Sequence, residues 1–168
     1  MIECNVLGSG SRRHLYTPNN LTTIGCNIPY ADVTYIAVHD FQILSKIENI
    51  LNPHIKLIVR DKLYSRILKE YPELVQFVGN IFAYYEIDSN RYIVNSGHYA
   101  TMYMIKLGYT KLNLYGMDSW FNENEWANSY TDQFISKPNG MNNNMGSCWK
   151  RQWELMIKQY PKVEFNFI

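Results

Sequence analysis

The chain has 168 residues and a formal net charge of +1, which suits one domain, 1–168, with enough length to bury a core. Such a small charge gives no electrostatic footprint for duplex nucleic acid or an anionic membrane. No apolar run could span a bilayer, residues 1–5 do not resemble a signal peptide, and the three cysteines lack metal-ligand spacing. We therefore expect a cytoplasmic protein with reduced thiols. A composition rich in Asn, Ile, Tyr and Lys is typical of an AT-rich coding source such as a phage or a low-GC bacterium.

The first 85 residues alternate between short apolar runs and helical patterns. Apolar runs bounded by glycine or polar residues are typical of buried parallel strands. Such runs cover 2–7, 21–25, 33–38 and 55–59. Apolar residues at helical spacing predict a helix over 43–51, and Asp61 can cap a second helix that Pro72 closes. Residues 74–85 are compatible with either a strand or a helix.

The segment 95–118 combines a helix start with a strand end. Ser96 has a side chain suited to the N-cap, apolar residues follow at helical spacing, and Gly108 can supply the left-handed position after the last turn. Residues 111–115 form a short apolar run, and Asp118 follows it. Because ligands of open α/β sheets bind outside the carboxyl ends of strands and at helix N-termini, this segment predicts a binding site.

Aromatic residues without clear periodicity characterise residues 119–146. Trp120, Phe121 and Trp126 lie there, and so long a connection in a compact domain is usually a lid, a binding loop or a disordered, flexible loop. The aromatic rings could stack on a base or a sugar, or they could cover a sheet edge or a partner surface. A helix around Trp153 and a strand at 163–167 follow. The alternation of strands and helices predicts a single-domain, doubly wound, Rossmann-like and mostly parallel sheet with a long aromatic lid loop.

The turn after the first strand has the composition of a phosphate-binding loop. In Gly8-Ser9-Gly10-Ser11 the glycines let the backbone approach an anion, and the amides of the next turn can point at it. The complete dinucleotide fingerprint is absent, because Arg13 stands where its third glycine belongs, and no Walker lysine follows. The alternative is a tight strand exit with no ligand.

Polar residues also follow the other strands. Asn27 and Asp40 come just after the second and third strands, where an amide and a carboxylate could bond a ribose or a base, although ordinary turns favour the same residue types. Asn95, Ser96 and Gly97, at the start of the helix predicted before Gly108, add further polar side chains and free amides. The predicted nucleotide-binding set is therefore Gly8, Ser9, Gly10, Ser11, Asn27, Asp40, Asn95, Ser96 and Gly97.

The predicted catalytic groups are His98 and Asp118. His98 lies in the first helical turn, where the positive helix end should lower its pKa and keep a neutral imidazole that can act as a base. The alternative is a histidine that packs on the loop. Asp118 is the weaker base, because a carboxylate accepts a proton poorly near neutral pH unless it is buried. His39 precedes Asp40, but neighbours on a strand point to opposite faces, so we do not expect these two to pair.

These strand-end motifs resemble those of the bacterial sialyltransferases of glycosyltransferase family 42, over most of residues 1–121. Those enzymes open with a strand and Gly-Asn-Gly-Pro-Ser, and related domains occur in flagellar motility accessory factors and archaeal hydroxymethylpterin pyrophosphokinase. Their later motifs are Arg-Cys-Asn, Ser-Gly, Leu-Gly-Tyr-Lys-Glu-Ile-Tyr-Leu and Gly-Ile-Asp-Phe, of which the last is the most specific. The corresponding residues here are Gly8-Ser9-Gly10-Ser11, Gly25-Cys26-Asn27, Ser96-Gly97, the run 107–114 and Gly116-Met117-Asp118-Ser119.

The resemblance implies an α/β nucleotide-binding fold and metal-independent, inverting transfer of a sugar from a CMP-sugar. The family's catalytic histidine lies in the lid, whereas this chain has no histidine after His98, lacks the Pro-Ser of the first loop and is much shorter. The implied roles are contacts to phosphate and ribose for Ser9 and Gly10, to ribose or donor for Asn27 and Asp40, and to the cytosine nucleotide for Ser96 and Gly97.

The sequence thus predicts a glycosyltransferase-like enzyme whose small-molecule substrate is a nucleotide-sugar, with no cofactor and an acceptor that the sequence does not identify. One alternative is a Mg²⁺-dependent phosphoryl or pyrophosphoryl transferase like the pterin kinase. Another is a nucleotide-binding module without catalysis. No His/Cys/carboxylate set has metal-ligand spacing, and a homo-oligomer is compatible with the sequence.

Overall fold

A seven-stranded, all-parallel sheet forms the centre of the molecule. The computed structural model describes residues 1–29, 31–83, 94–123, 128–131, 134–136 and 145–168. The strands are β1 (Glu3–Leu7), β2 (Thr22–Cys26), β3 (Tyr35–Val38), β4 (Lys56–Val59), β5 (Val78–Ile81), β6 (Lys111–Tyr115), the separate antiparallel pair β7 (Asn128–Thr131) and β8 (Phe134–Ser136), and β9 (Glu164–Phe167). The order across the large sheet is β5-β4-β3-β2-β1-β6-β9. The chain therefore builds outward from β1 to β5 and then continues on the other side of β1, so that the direction switches between β1 and β6.

Helical segments connect the parallel strands, except between β2 and β3, where the described residues form no helix. The α-helices are α1 (Leu44–Ile47), α2 (Asp61–Glu70), α3 (Ser96–Lys106), α4 (Asp118–Phe121) and α5 (Met145–Gln159). Short 3₁₀ turns cover Ser11–Leu15, Phe41–Ile43, Glu48–Ile50 and Pro72–Phe77. Gly108 follows α3 with φ +95°, which confirms the predicted left-handed position at the end of that helix.

Two helices differ from the sequence predictions. The apolar repeat at 43–51 is divided between 3₁₀ and α turns and does not form one helix. The N-cap residue of α2 is Arg60, so Asp61 is the first helical residue and contributes its charge to the positive helix end. Of the undecided region 74–85, the part up to residue 83 contains a 3₁₀ turn and then β5.

Apolar side chains alternate along the strands and form two buried clusters on opposite faces of the sheet. On β3, Ile36 and Val38 belong to one cluster and Ala37 to the other, as the two-residue period of a strand requires. The first cluster includes residues of α1 and α2, and the second includes Tyr99 of α3 and Trp153 of α5. The carboxyl edge, where the parallel strands end, lies between these two covering layers.

One row of the sheet is polar where a buried parallel sheet is usually apolar. Thr23, Asn5, Asn113 and Asn166 stand in register on β2, β1, β6 and β9. Their side chains are bonded in that order: Asn5 Nδ2 donates to Thr23 Oγ1 (3.0 Å), Asn113 Nδ2 to Asn5 Oδ1 (3.3 Å), and Asn166 Nδ2 to Asn113 Oδ1 (3.1 Å). These bonds satisfy the buried amides and hold β1 and β6 in the register that aligns their carboxyl ends.

The predicted lid, 119–146, is described only in part. α4 occupies its start, where Trp120 stacks on Phe167 with 4.2 Å between ring centroids, so this ring packs against the sheet. Trp126 lies outside the described residues, as do the rest of 124–127 and the segments 132–133 and 137–144. Within the described part of the chain, no helix is both long and apolar enough to cross a membrane.

Candidate functional site

The predicted binding residues all lie at the carboxyl edge of the sheet. They follow β1, β2, β3 and β6, or they open α3, which precedes a parallel strand and therefore starts at the same edge. The Ser96 side chain at the start of α3 lies close enough to the Cys26 thiol at the end of β2 to lower its pKa, against the larger effect of burial. On the other side of α3, a Cβ on Gly97 would lie 2.7 Å from Met117 Sδ. The ends of β2 and β6 thus meet at the first turn of α3.

The carboxylate of Asp118 accepts the hydrogen bonds of the amides that the sequence predicted as the phosphate-binding loop. Its Oδ2 accepts from the Ser11 N–H (2.6 Å) and the Ser11 hydroxyl (2.7 Å), and its Oδ1 accepts from the Arg12 N–H (3.1 Å). Asp118 is buried. Free amides at the start of a helical turn favour an anion, and here that anion is the Asp118 carboxylate of the chain itself.

The glycines of this loop allow two chain segments to approach closely. The Gly8 N–H donates to the Tyr115 carbonyl (2.8 Å) and the Gly10 N–H to the Gly116 carbonyl (3.0 Å). A Cβ on either Gly8 or Gly10 would clash with the Gly116 carbonyl oxygen, and Gly116 itself has φ +71°. These contacts account for the glycines without a ligand.

Ser9, between those glycines, is different. Its side chain is 7% exposed, and its Oγ has no hydrogen-bond partner among the described residues. Buried hydroxyl groups are nearly always bonded, so an unpartnered one marks a place where a ligand atom or a water molecule can bond.

Asn27 organises the ends of β2 and β3. Its backbone is left-handed, with φ +54°, which asparagine tolerates better than most residues. The side chain is buried; its Oδ1 accepts from the His39 N–H (3.0 Å), and its Nδ2 donates to Asp40 Oδ2 (2.9 Å). The Asp40 carboxylate is therefore fixed in place while 38% of its side chain stays exposed.

Two residues that the sequence analysis did not select complete this cluster. His39 Nδ1 lies 3.6 Å from Asp40 Oδ1. The expectation that they would face apart was wrong, because both follow Val38, the last residue of β3, where strand alternation ends. Arg60 directly follows β4, and its Nη2 donates to the His39 carbonyl (3.1 Å). The signal that could have found them is the same strand-end position, and we call Asn27, His39, Asp40 and Arg60 the Asn27 network.

His98 is bonded within the chain at both ring nitrogens. Nδ1 accepts from the Asn95 N–H (3.1 Å), while the His98 N–H donates to Asn95 Oδ1 (3.1 Å), so the N-cap of α3 is Asn95 and not the predicted Ser96. Nε2 donates to the Trp149 carbonyl (3.1 Å), and the ring lies 4.2 Å from the Trp153 ring. Burial lowers the pKa of His98 to about 3, against the opposing effect of the bond to Trp149. The predicted direction of the shift is present, but burial causes it, and in this arrangement neither nitrogen can accept a proton from a substrate.

Metal-binding clusters and reactive thiols do not add to this site. Groups of three or more His, Cys, Asp or Glu that could hold a metal ion are absent from the described part of the chain. Burial raises the pKa of Cys4 and of Cys26 to about 12, so both thiols stay protonated.

Comparisons with known proteins add no family to these observations. No protein-family model matches the chain, and neither a curated protein nor a solved structure matches it. The functional conclusion therefore depends on the residues at the carboxyl edge.

Proposed function

We propose that this chain binds a nucleotide-sugar, most simply a cytidine one, at the carboxyl edge and transfers the sugar to an acceptor. The observation that carries the proposal is that Ser9, Asn27 and the start of α3 lie at neighbouring strand ends next to the switch point between β1 and β6, and that the rest of the Asn27 network continues along the same edge to β4. In open parallel sheets the crevice at such a switch point is where nucleotides bind. Under this proposal the sheet is of the doubly wound, Rossmann-like type.

Two sets of neutral donors can hold the phosphate in this proposal. One is the Ser9 hydroxyl, which is buried and unpartnered among the described residues. The other is the start of α3, where the Ser96 and Gly97 amides have no acceptor within the helix and the helix dipole favours an anion. Because Asp118 already fills the amides of the following turn, the phosphate would lie beside that turn and not within it.

The transfer step needs a base for the acceptor hydroxyl. His98 and Asp118 are both engaged by the chain itself, so we assign this role to His39, whose side chain is 15% exposed. The Asp40 carboxylate beside Nδ1 would favour the tautomer in which Nε2 is the acceptor. Because Nε2 is buried, the acceptor hydroxyl would have to enter the Asn27 network to reach it. The engagement of His98 and Asp118 also favours a second candidate, a nucleotide-binding module without catalysis.

Replacing Ser9 with alanine tests the binding site with little effect on the fold. The hydroxyl has no described partner, so its loss should leave the unfolding midpoint unchanged or slightly raised, whereas affinity for CMP should fall about ten-fold. Binding is measured by thermal shift with CMP, CDP, UDP, ATP and NAD, with and without Mg²⁺, and then by calorimetry. Ser65→Ala, on the exposed face of α2, is the matched control.

The outcomes separate the candidate functions. Binding of CMP with turnover of a CMP-sugar supports the transferase, and binding without turnover of any donor supports the non-catalytic module. Turnover that requires Mg²⁺ would favour phosphoryl transfer instead. Equal CMP affinity in Ser9→Ala and the wild type, or no stabilisation by any nucleotide, would contradict the proposed site.

A further inference from the structure

The end of β4 carries a guanidinium group, that of Arg60, which pairs with none of the carboxylates in the described ranges. Arg60 bonds the His39 carbonyl through Nη2, and its Nε is buried with no hydrogen-bond partner in the described part of the chain. No ion pair joins Arg60 to a described carboxylate, and the carboxylate of its own network, Asp40, bonds Asn27. By contrast, Arg66, on the helix α2 that Arg60 caps, forms an ion pair with Glu70 at 2.8 Å.

A buried N–H of a charged group is costly to leave unpaired. The groups that best satisfy a guanidinium are oxyanions, since its planar set of donors matches phosphate and carboxylate. The bond to His39 fixes the orientation of Arg60, which reduces the entropy that ligand binding would remove. Arg60 is therefore a cation held in place at the edge where strands end, with donor capacity that the described residues do not use.

The first loop gives an independent reason to look for an anion site elsewhere on this edge. The amides of Ser11 and Arg12, which the sequence offered as the phosphate cradle, bond the Asp118 carboxylate. A second anion there would meet a like charge at close range. β4 lies three strands from β1 in the order of the sheet. At the usual spacing between neighbouring strands, roughly 14 Å therefore separates Arg60 from the turn that bonds the Asp118 carboxylate.

We propose that Arg60 is an anion-binding residue, which holds an oxyanion of the ligand at the β4 end of the carboxyl edge. The identity of the larger ligand rests on the proposed function, but the chemistry of this contact does not. The oxyanion is either a phosphate of the nucleotide or a carboxylate of the transferred group or acceptor. Both bind a guanidinium through the same charge-assisted hydrogen bonds.

Small anions test this contact without assuming a nucleotide. Thermal shift and calorimetry are carried out with inorganic phosphate, with glucuronate and with glucose, on the wild type, Arg60→Gln, Arg60→Lys and Arg66→Gln. We expect phosphate or glucuronate, but not glucose, to stabilise the wild type. Arg60→Gln should weaken that binding about ten- to hundred-fold, Arg60→Lys by less because it retains the charge, and Arg66→Gln not at all.

Comparing the ligands distinguishes the two possible sources of the oxyanion. A preference for phosphate, with a loss of CMP but not cytidine affinity in Arg60→Gln, assigns the nucleotide phosphate, and a preference for glucuronate assigns a carboxylate. The inference is overturned if neither anion affects the wild type, or if Arg60→Gln and Arg66→Gln behave alike. If Arg60→Gln does not fold, the same comparison is made between Arg60→Lys and the wild type, and equal anion affinity there also overturns it.

The two proposals fail separately. Binding of phosphate, glucuronate and CMP that is unchanged in Arg60→Gln and Arg60→Lys, in a wild type that turns over a CMP-sugar, refutes the Arg60 contact and leaves the transferase intact. Anion binding that depends on Arg60 in a protein that binds no nucleotide refutes the nucleotide site and leaves the Arg60 contact intact.

Discussion

Acidification should destabilise this protein in large part through His98. Its imidazole is fully buried and neutral, with Nδ1 bonded to the Asn95 amide and Nε2 to the Trp149 carbonyl. A proton on Nδ1 would break the first of these bonds and place a charge beside the Trp153 ring with no described carboxylate as its partner. The unfolded chain has no such restriction and binds the proton readily.

The size of the effect follows from the two pKa values. Burial lowers the pKa of His98 from 6.5 to about 3 in the folded chain. Because the unfolded state binds the proton first, the contribution of His98 to stability is complete above pH 6.5 and is lost as pH falls toward 3. Between pH 7.5 and 4.5 the loss is roughly 3 kcal/mol, and it approaches roughly 5 kcal/mol below pH 3.

Urea unfolding at pH 7.5, 6.0 and 4.5 measures this loss. His98→Gln keeps a polar side chain that cannot titrate in this range, so its stability should fall by roughly 3 kcal/mol less than that of the wild type. Carboxylates such as Glu3, whose pKa is lowered mainly by its bond to Asn113, also lose stability in acid, but they cancel in the difference. His54→Gln, at an exposed position, should follow the wild type.

An equal loss of stability in the wild type and in His98→Gln would refute this reasoning. If the wild type and His98→Gln lose the same free energy of unfolding between pH 7.5 and 4.5, His98 is not a buried neutral group in solution. A lower stability of His98→Gln at pH 7.5 alone would not decide the point, because the variant also loses the ring contact with Trp153.

Three further predictions concern the same core. Asp118→Asn should lower the free energy of unfolding by about 3 kcal/mol, because an amide cannot accept all three bonds that the carboxylate receives; urea unfolding that matches the wild type would contradict this. Gly10→Ala should destabilise by more than about 3 kcal/mol, since its Cβ meets a backbone carbonyl that cannot move aside, and circular dichroism against temperature checks it. Ellman's reagent should titrate Cys148 alone in the native protein and Cys4 and Cys26 only after denaturation; rapid reaction of a second thiol would show that the sheet core opens readily.

Local patterns were enough to predict six of the seven strands of the large sheet and the edge at which the candidate site lies; β5, in the undecided region 74–85, was not predicted. The run 111–115 is β6 in the structure, and Gly108 ends the preceding helix, because both follow from short-range rules of hydrophobic alternation and backbone sterics. The partners of the side chains at that edge could not be predicted in the same way. The bond from Ser11 to Asp118 joins residues 107 positions apart, and no local pattern encodes it.

The cap of α3 shows why a correct local rule can select the wrong residue. Serine and asparagine are both good N-cap residues, and Asn95-Ser96 offers both. His98 decides between them, because its Nδ1 can reach back to the Asn95 amide and complete a reciprocal pair of bonds, as glutamate or glutamine does in the common capping box. The same pair of bonds turns the histidine from a predicted base into part of the helix start.

The phosphate loop makes the corresponding point for function. A glycine-rich turn that approaches an anion through its amides has the same sequence requirements whether the anion is a ligand or a carboxylate of the chain. Here Asp118 fills that place, so a nucleotide phosphate could enter the turn only by displacing three hydrogen bonds. The Ser9 hydroxyl within the turn, the start of α3 and Arg60 farther along the edge need no such displacement. Under the proposed function, the anion is therefore expected between Ser9 and the ends of β2 to β4, and not at the Ser11 and Arg12 amides.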